Sequence, residues 1–225
     1  MNFLSHFYFE KKQTDNYVVL GVVLPDLLKN TDKSWNIHPQ KNPSQFEKNQ
    51  QFSAILEGWK RHLEVDRIFH SSNFFETQLQ KIKPFLEPVI SHSPIRASFL
   101  SHIAIELLLD HLLICEQKIN VLGFYTYLQQ SDPNIITNFL KLNAVPDPKK
   151  FAVFFDRFIQ SHYLLSYDRC ENIAYALNRI CLRVWPTGLD EDRRAELSQA
   201  LEMYKQQLKE NFMVIFDEIE QKLAI

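Results

Sequence analysis

Glycine is scarce in this chain, with four among the 225 residues. A fold rich in β-strands needs turn residues at short intervals, so this scarcity favours helices joined by short polar connections. Neither sign of charge dominates, because 25 basic and 27 acidic side chains give a net charge of −2. This balance argues against a nucleic-acid partner and against a polybasic membrane anchor. The composition therefore predicts an all-α protein.

Cysteine is also rare, and the three present do not have the spacing of a disulfide framework: Cys115, Cys170 and Cys181. An odd number of widely spaced cysteines in apolar segments predicts reduced, buried thiols. The first residues, Met1 to His6, lack the basic region of a signal peptide, and no apolar run approaches the roughly 20 residues of a membrane span. We therefore expect a cytoplasmic protein that contacts no membrane; its oligomeric state is left open.

The apolar periodicity predicts a single domain over residues 1–225, built as a bundle of about eight to ten helices. No internal repeat or Gly/Ser linker interrupts the chain. Long helices are expected at residues 17–29, 43–71, 95–117 and from 190 onward. In the first of these, Asp26 follows Pro25. Either this carboxylate is buried and satisfied by a partner, or the helix bends at Pro25 and Asp26 faces solvent.

Within the second predicted helix, His62, Asp66 and His70 stand at positions i, i+4 and i+8. In an α-helix these three positions fan over only about 80° of the circumference. Two imidazoles and a carboxylate along one stripe can hold a divalent metal ion. For a single histidine on a helix, however, a structural role is the more frequent one.

A second stripe with the same spacing lies on the helix predicted at residues 95–117: His102, Glu106 and Asp110, followed by His111. Helix bundles build internal metal sites from side chains on facing helices. Because His6 and Asp26 also lie in apolar segments, one shared site would satisfy these polar groups together. Mixed His and Asp ligands suit Mn²⁺, Fe²⁺ or Zn²⁺, and metal-assisted hydrolysis is the chemistry best supported. The alternatives are a helical binding protein without turnover and a purely structural polar cluster.

Several of these residues occur in motifs that resemble, in order along almost the whole chain, the acyl carrier protein phosphodiesterases. The motifs are Met1–His6, Gly21-x-x-Leu-x-Asp26, Gly58-x-x-x-His62-x-x-x-Asp66, Asp110-His111, Leu164-x-x-Tyr167, the helix from Ile173 to Arg183, and the region Tyr204–Phe212. The resemblance implies an all-α, HD-type metal-dependent phosphohydrolase. Such an enzyme hydrolyses the phosphodiester that joins 4′-phosphopantetheine to a serine of holo-acyl carrier protein, and it requires Mn²⁺.

The resemblance also implies roles for individual residues. The expected catalytic residues are His6 and His111, and the expected metal ligands are His62, Asp66, Asp110 and Asp26. Three positions depart from the family pattern and are assigned to the surroundings of the ligands: Glu106 and His70, which replace aspartates, and His102, which has no usual counterpart. Mn²⁺ is the expected cofactor, although Fe²⁺, Zn²⁺ or Mg²⁺ would also fit. These departures leave open a divergent HD-like phosphohydrolase that acts on another phosphoester.

Overall fold

The computed structural model describes residues 1–224, which contain eleven α-helices, three short 3-10 helices and no strand. The α-helices are α1 (Phe3–Tyr8), α2 (Asn16–Thr31), α3 (Gln50–His70), α4 (Asn73–Leu86), α5 (Ala97–Cys115), α6 (Val121–Gln129), α7 (Pro133–Leu142), α8 (Pro148–Ser161), α9 (Cys170–Cys181), α10 (Glu191–Lys209) and α11 (Met213–Leu223). The 3-10 helices are Pro39–Lys41, Pro43–Gln45 and Tyr163–Asp168. The all-α prediction is confirmed, with more helices than the sequence indicated.

The chain forms two compact units. The first comprises residues 1–5, 67–118 and the segment from Ser166 onward, and the second comprises residues 6–66 and 119–165. In the first unit, α5 packs against α4 and α9, while α10 packs against α4, α5 and α9. In the second unit, α2 packs against α6 and α8, and α8 also contacts α6 and α7. The single domain over residues 1–225 stays a prediction.

Side-chain caps define where many of these helices begin. The Asp15 carboxylate accepts a hydrogen bond from the Tyr17 backbone N–H at 2.8 Å, and the Ser72 hydroxyl accepts one from the Phe75 N–H at 3.1 Å. Such caps satisfy backbone donors that have no partner within the helix. The same role is played by Asn120, Asp132, Asp147 and Asp190. The starts of α2 and α4 are therefore encoded locally, as the sequence indicated.

Helix α2 continues through Pro25, and Asp26 is half-buried. The first helix, α1, is six residues long and carries His6. At the other end of the chain, residues 210–212 interrupt the expected long final helix and separate α10 from α11. This interruption accounts for part of the larger number of helices.

Helix α5 has the length and composition of a membrane span, with 19 residues and a mean hydropathy of 1.6 over its most apolar window. The expectation that no apolar run approaches the length of a membrane span is therefore wrong for α5. However, 61% of that window is buried inside the protein. Core helices of soluble proteins have the same character, because a helix that is apolar on all sides must be covered.

The three cysteines are free thiols, and two of them are buried as expected. Burial raises the pKa of Cys170 to about 12 and that of Cys181 to about 11, so both remain protonated at neutral pH. The expectation was wrong for Cys115, which is exposed near the end of α5. Its position at the last helical turn places it beyond the segment in which neighbouring side chains cover α5.

In the second unit, α2 and α3 approach each other closely at two glycines. A side-chain carbon at Gly58 would clash with the Val18 carbonyl oxygen and lie only 2.8 Å from the Val22 nitrogen. The same carbon would lie 2.9 Å from the Gly21 Cα. Since backbone atoms cannot move aside as a flexible side chain can, only glycine permits this separation of the helices.

We expect Gly58→Ala to lower the free energy of unfolding by about 3 kcal/mol, because the added methyl group overpacks a backbone contact. Gly123→Ala is the matched control, since its new carbon would meet only the side chain of Asn120, at 3.0 Å. Its effect should stay below about 1 kcal/mol. Urea unfolding followed by circular dichroism measures both changes. Equal effects of the two substitutions would contradict the close helix contact.

Candidate metal centre

Two histidines and an aspartate of the second unit converge in a candidate metal centre. His6 comes from α1, and His62 and Asp66 lie one turn apart on α3; one donor atom of each lies within 4.8 Å of the other two. The His6 Nε2 is 3.3 Å from Asp66 Oδ1, and the His62 Nε2 is 3.5 Å from Asp66 Oδ2. The two imidazole rings stack, with centroids 3.9 Å apart. This is the geometry of three ligands around one small ion.

His62 is oriented by the backbone of α2. Its Nδ1 lies 2.8 Å from the Val22 carbonyl oxygen, so Nδ1–H donates to that oxygen and the lone pair is on Nε2. Metal-binding histidines usually donate their second ring N–H to a carbonyl or carboxylate in this way. The contact therefore presents His62 Nε2 as a ligand on the side where Asp66 lies.

His6 is the polar group of the centre that protein contacts leave unsatisfied. Its residue exposure is 1%, and neither ring nitrogen meets hydrogen-bond geometry with any described residue. Burial, followed by the nearby charge of His62, lowers the pKa of His6 to about 4, so the imidazole is neutral at pH 7. A buried, neutral imidazole that makes no well-formed hydrogen bond with the described residues is costly, and a bound cation would satisfy it.

Asp66 supplies the negative charge of the centre. Burial opposes ionisation, but the contact with His6 and nearby positive charge outweigh it and hold the pKa of Asp66 below its usual range. Its side chain retains 30% exposure. The centre is therefore open on one side, as in catalytic metal sites that keep a coordination position for water or substrate.

A pocket of about 210 Å³ in the same unit adjoins His62. Asp26 and Lys29 of α2 lie on one wall, so the half-buried carboxylate of Asp26 faces a cavity. Two largely buried tryptophans, Trp35 and Trp59, make the apolar part. The Trp59 indole N–H donates to Gln40 Oε1 at 3.0 Å. The pocket combines an apolar wall with a few oriented polar groups, which is typical of small-molecule sites.

Asp110, a predicted metal ligand, binds the amino end of α1. Its carboxylate accepts four hydrogen bonds: from Asn2 Nδ2 at 2.8 Å, the Leu4 N–H at 3.1 Å, and the Ser5 N–H and hydroxyl at 2.7 and 2.6 Å. Burial nevertheless raises the pKa of Asp110 to about 6. These contacts make Asp110 a cap that fixes the start of the helix carrying His6. Its role as a ligand stays a prediction.

His111, a predicted catalytic residue, is likewise engaged by the backbone. Its Nδ1 donates to the Tyr167 carbonyl oxygen at 2.7 Å, and its Nε2 lies 3.6 Å from Cys115 Sγ. Burial lowers the pKa of His111. The metal group formed by His6, His62 and Asp66 does not include it, and its catalytic role stays a prediction.

The three residues that depart from the family pattern form a group of their own in the first unit: His70, His102 and Glu106. The structure thus brings together three members of the predicted site in one group and the three expected supporting residues in another. The pocket residues Lys29, Trp35, His38 and Trp59 do not belong to the predicted site. The signal in the sequence is the long polar segment after α2, because loops of that length often form the wall of a site.

Comparison with known proteins identifies one family. A family model described as acyl carrier protein phosphodiesterase matches residues 1–219. A search of curated proteins and a search of solved structures each found no significant match. All residues of the candidate metal centre and its pocket lie within the matched range.

We expect Ser5→Ala to lower the free energy of unfolding by about 2 kcal/mol, because it removes a buried hydrogen bond to the charged Asp110. The matched control is Ser101→Ala in α5. Ser101 is equally buried, but its hydroxyl has no hydrogen-bond partner among the described residues, so its removal should be neutral or slightly stabilising. Thermal and urea unfolding measure both. A Ser5 variant as stable as wild type would show that the Asp110 cap contributes little.

Proposed function

The chain belongs to the acyl carrier protein phosphodiesterase family. We propose that its hydrolysis depends on a divalent metal ion and that His6, His62 and Asp66 hold this ion. Membership makes the protein a phosphodiesterase that acts on acyl carrier protein. The observation that carries the metal proposal is His6. This buried imidazole makes no well-formed hydrogen bond with the described residues, and it stacks on a second imidazole and lies 3.3 Å from a carboxylate oxygen. Two imidazoles and a carboxylate are a donor set that suits a divalent ion.

The reaction proposed is hydrolysis of the phosphodiester in the holo form of the carrier protein. The oxygen of a water molecule attacks phosphorus, the bond between phosphorus and the serine oxygen breaks, and that oxygen takes up a proton. The products are 4′-phosphopantetheine and a carrier protein with a free serine hydroxyl. A divalent ion supplies charge stabilisation at the phosphoryl oxygens and lowers the pKa of water.

The residues of the chain provide the fixed parts of this site. The bond from His62 to the Val22 carbonyl keeps its Nε2 available, and Asp66 adds the charge that balances a cation. The identity of the metal is part of the proposal. Two imidazoles and one carboxylate suit Mn²⁺, and also Fe²⁺ or Zn²⁺, better than Mg²⁺, which prefers oxygen ligands.

We assign the pocket beside His62 to the phosphodiester and the atoms next to it. A volume of 210 Å³ is below the usual range for a whole cofactor, so the carrier protein and the rest of the prosthetic group would remain outside. Lys29 lies on the pocket wall with a positive charge that complements the phosphodiester anion. His38, on the same pocket, is an exposed imidazole, and we assign to it the transfer of a proton to the departing serine oxygen.

Three finer assignments belong to the same proposal. An HD-type ancestry is supported by a His–Asp pair one turn apart on α3 that meets a histidine of another helix in an all-helical chain. A cytoplasmic location is supported by three free cysteines. A place in fatty acid biosynthesis would follow from the carrier protein on which the family acts.

Asp66→Asn should lower Mn²⁺-dependent release of phosphopantetheine from holo-acyl carrier protein at least about 100-fold and should also lower the bound Mn²⁺, since a charged ligand is lost. The exposed Asp156 of α8 is the matched control, and Asp156→Asn should change neither quantity. Product release is followed by mass spectrometry and metal content by elemental analysis. Full activity and metal content in Asp66→Asn would refute the centre. Wild-type protein without metal and without turnover would instead support a binding protein that has lost catalysis.

Lys29→Met should raise KM for holo-acyl carrier protein about 10-fold while changing kcat much less, because the lysine contacts the ground-state anion as well as the transition state. Lys33→Met is the control, since Lys33 is exposed and does not line the pocket. Steady-state kinetics at fixed Mn²⁺ measure both variants. An unchanged KM for Lys29→Met would place the phosphodiester elsewhere.

A further inference from the structure

A second group of metal-binding side chains lies within the first unit. His70 is the last residue of α3, and His102 and Glu106 stand one turn apart on α5. The two Nε2 atoms are 3.2 Å apart, and the Glu106 Oε1 is 3.2 Å from His70 Nε2 and 3.1 Å from His102 Nε2. Three donor atoms of three side chains thus form a nearly equilateral triangle.

The size of this triangle matches one face of a tetrahedral zinc site. Zinc lies about 2.0–2.1 Å from nitrogen and oxygen ligands, so two ligand atoms of a regular tetrahedron are about 3.3 Å apart. The observed edges differ from that value by no more than about 0.2 Å. Hydrogen bonds alone cannot complete this arrangement with two neutral imidazoles, because three pairwise contacts would need three suitably placed protons and neutral imidazoles carry two.

A buried aromatic ring holds the two imidazoles in place. Phe75 of α4 meets His70 edge-on with centroids 5.2 Å apart, and it meets His102 edge-on at 4.9 Å. Only 5% of Phe75 is exposed. Because both rings pack on one rigid neighbour, the donor atoms are brought together before any ion binds, which lowers the cost of binding.

We propose that His70, His102 and Glu106 bind a Zn²⁺ ion. Two histidines and a glutamate with one open position are a donor set of catalytic zinc sites, and closed structural sites use four protein ligands. The site is accessible, since the side chains of His70 and His102 are 35% and 39% exposed. This inference does not depend on the proposed role of His6, His62 and Asp66.

The surroundings define what the open position takes. His102 also lines a pocket of about 700 Å³ with Arg96, Phe99 and Trp185. A cationic guanidinium in that pocket favours water or a small anionic ligand, such as a carboxylate, as the fourth partner of the ion. The amino group of Met1 lies 3.3 Å from the same Glu106 oxygen. It competes with the ion for this oxygen, so binding should be weaker than at a closed zinc site.

Co²⁺ serves as the spectroscopic probe, because four-coordinate Co²⁺ absorbs visible light strongly and replaces Zn²⁺ in such sites. His102→Ala and Glu106→Gln are compared with wild type by equilibrium dialysis and by visible absorption of the full chain. Each variant should bind one equivalent of Co²⁺ fewer at concentrations that saturate wild type, with affinity at this site reduced at least about 100-fold. In wild type, Zn²⁺ should displace the equivalent of Co²⁺ that the variants do not bind.

The matched control is His92→Asn, which removes an exposed histidine of the same unit and tolerates its left-handed backbone. It should bind as much Co²⁺ as wild type. Circular dichroism checks that every variant is folded. If His102→Ala does not fold, Glu106→Gln still tests the proposal. Equal stoichiometry in wild type and in a folded variant would overturn the proposal. If the centre of His6, His62 and Asp66 binds no metal, every protein should bind one equivalent of Co²⁺ fewer than two sites would give. The difference between wild type and the variants would remain.

Discussion

The candidate metal centre of the second unit depends on the contact between α2 and α3. Gly21 and Gly58 allow the two backbones to touch. One turn after Gly58, His62 donates to the carbonyl oxygen of Val22, the residue that follows Gly21. A side chain at Gly58 would push the helices apart and lengthen that 2.8 Å bond. The glycines therefore bring the His62 imidazole within hydrogen-bonding distance of the Val22 carbonyl oxygen. That hydrogen bond fixes the tautomer and the direction of the ring.

Asp110 shows how one physical requirement permits two readings. A carboxylate in an apolar helix must be compensated, and a metal ion or the amino end of a helix can do this. The sequence indicates that Asp110 is buried but does not identify its partner. A role as metal ligand is therefore a natural prediction. In the structure the partners are Asn2, Leu4 and Ser5, which directly precede His6. The residue thus anchors the start of α1, and its role as a metal ligand stays a prediction.

The parts of the fold that follow from local physics were predictable. Caps such as Ser72 and the apolar period of α3 set helix positions, and the i, i+4 spacing placed His62 beside Asp66. The interruption between α10 and α11, the division into two units and the pocket depend on packing between distant segments, which periodicity does not encode. Trp35 and His38 lie in an irregular segment, where neither helical nor strand spacing gives a direction for a side chain. His6 and His62 are separated by 56 positions of sequence, so local spacing does not bring them together. Their proximity was expected only because polar groups in apolar segments would be satisfied in one shared site.

The two groups of histidines and carboxylates differ in the free-energy cost of their polar atoms when no metal ion is bound. In the first, His6 is buried with no hydrogen bond to the described residues, so the apo state carries an unsatisfied group, and an ion that binds the folded state relieves it. In the second, His70, His102 and Glu106 are partly exposed and contact one another, so water and neighbours compensate them when no ion is bound. If both proposals hold, burial couples metal binding to folding more strongly at the first group. The second group would then gain or lose an ion with little consequence for the helices around it.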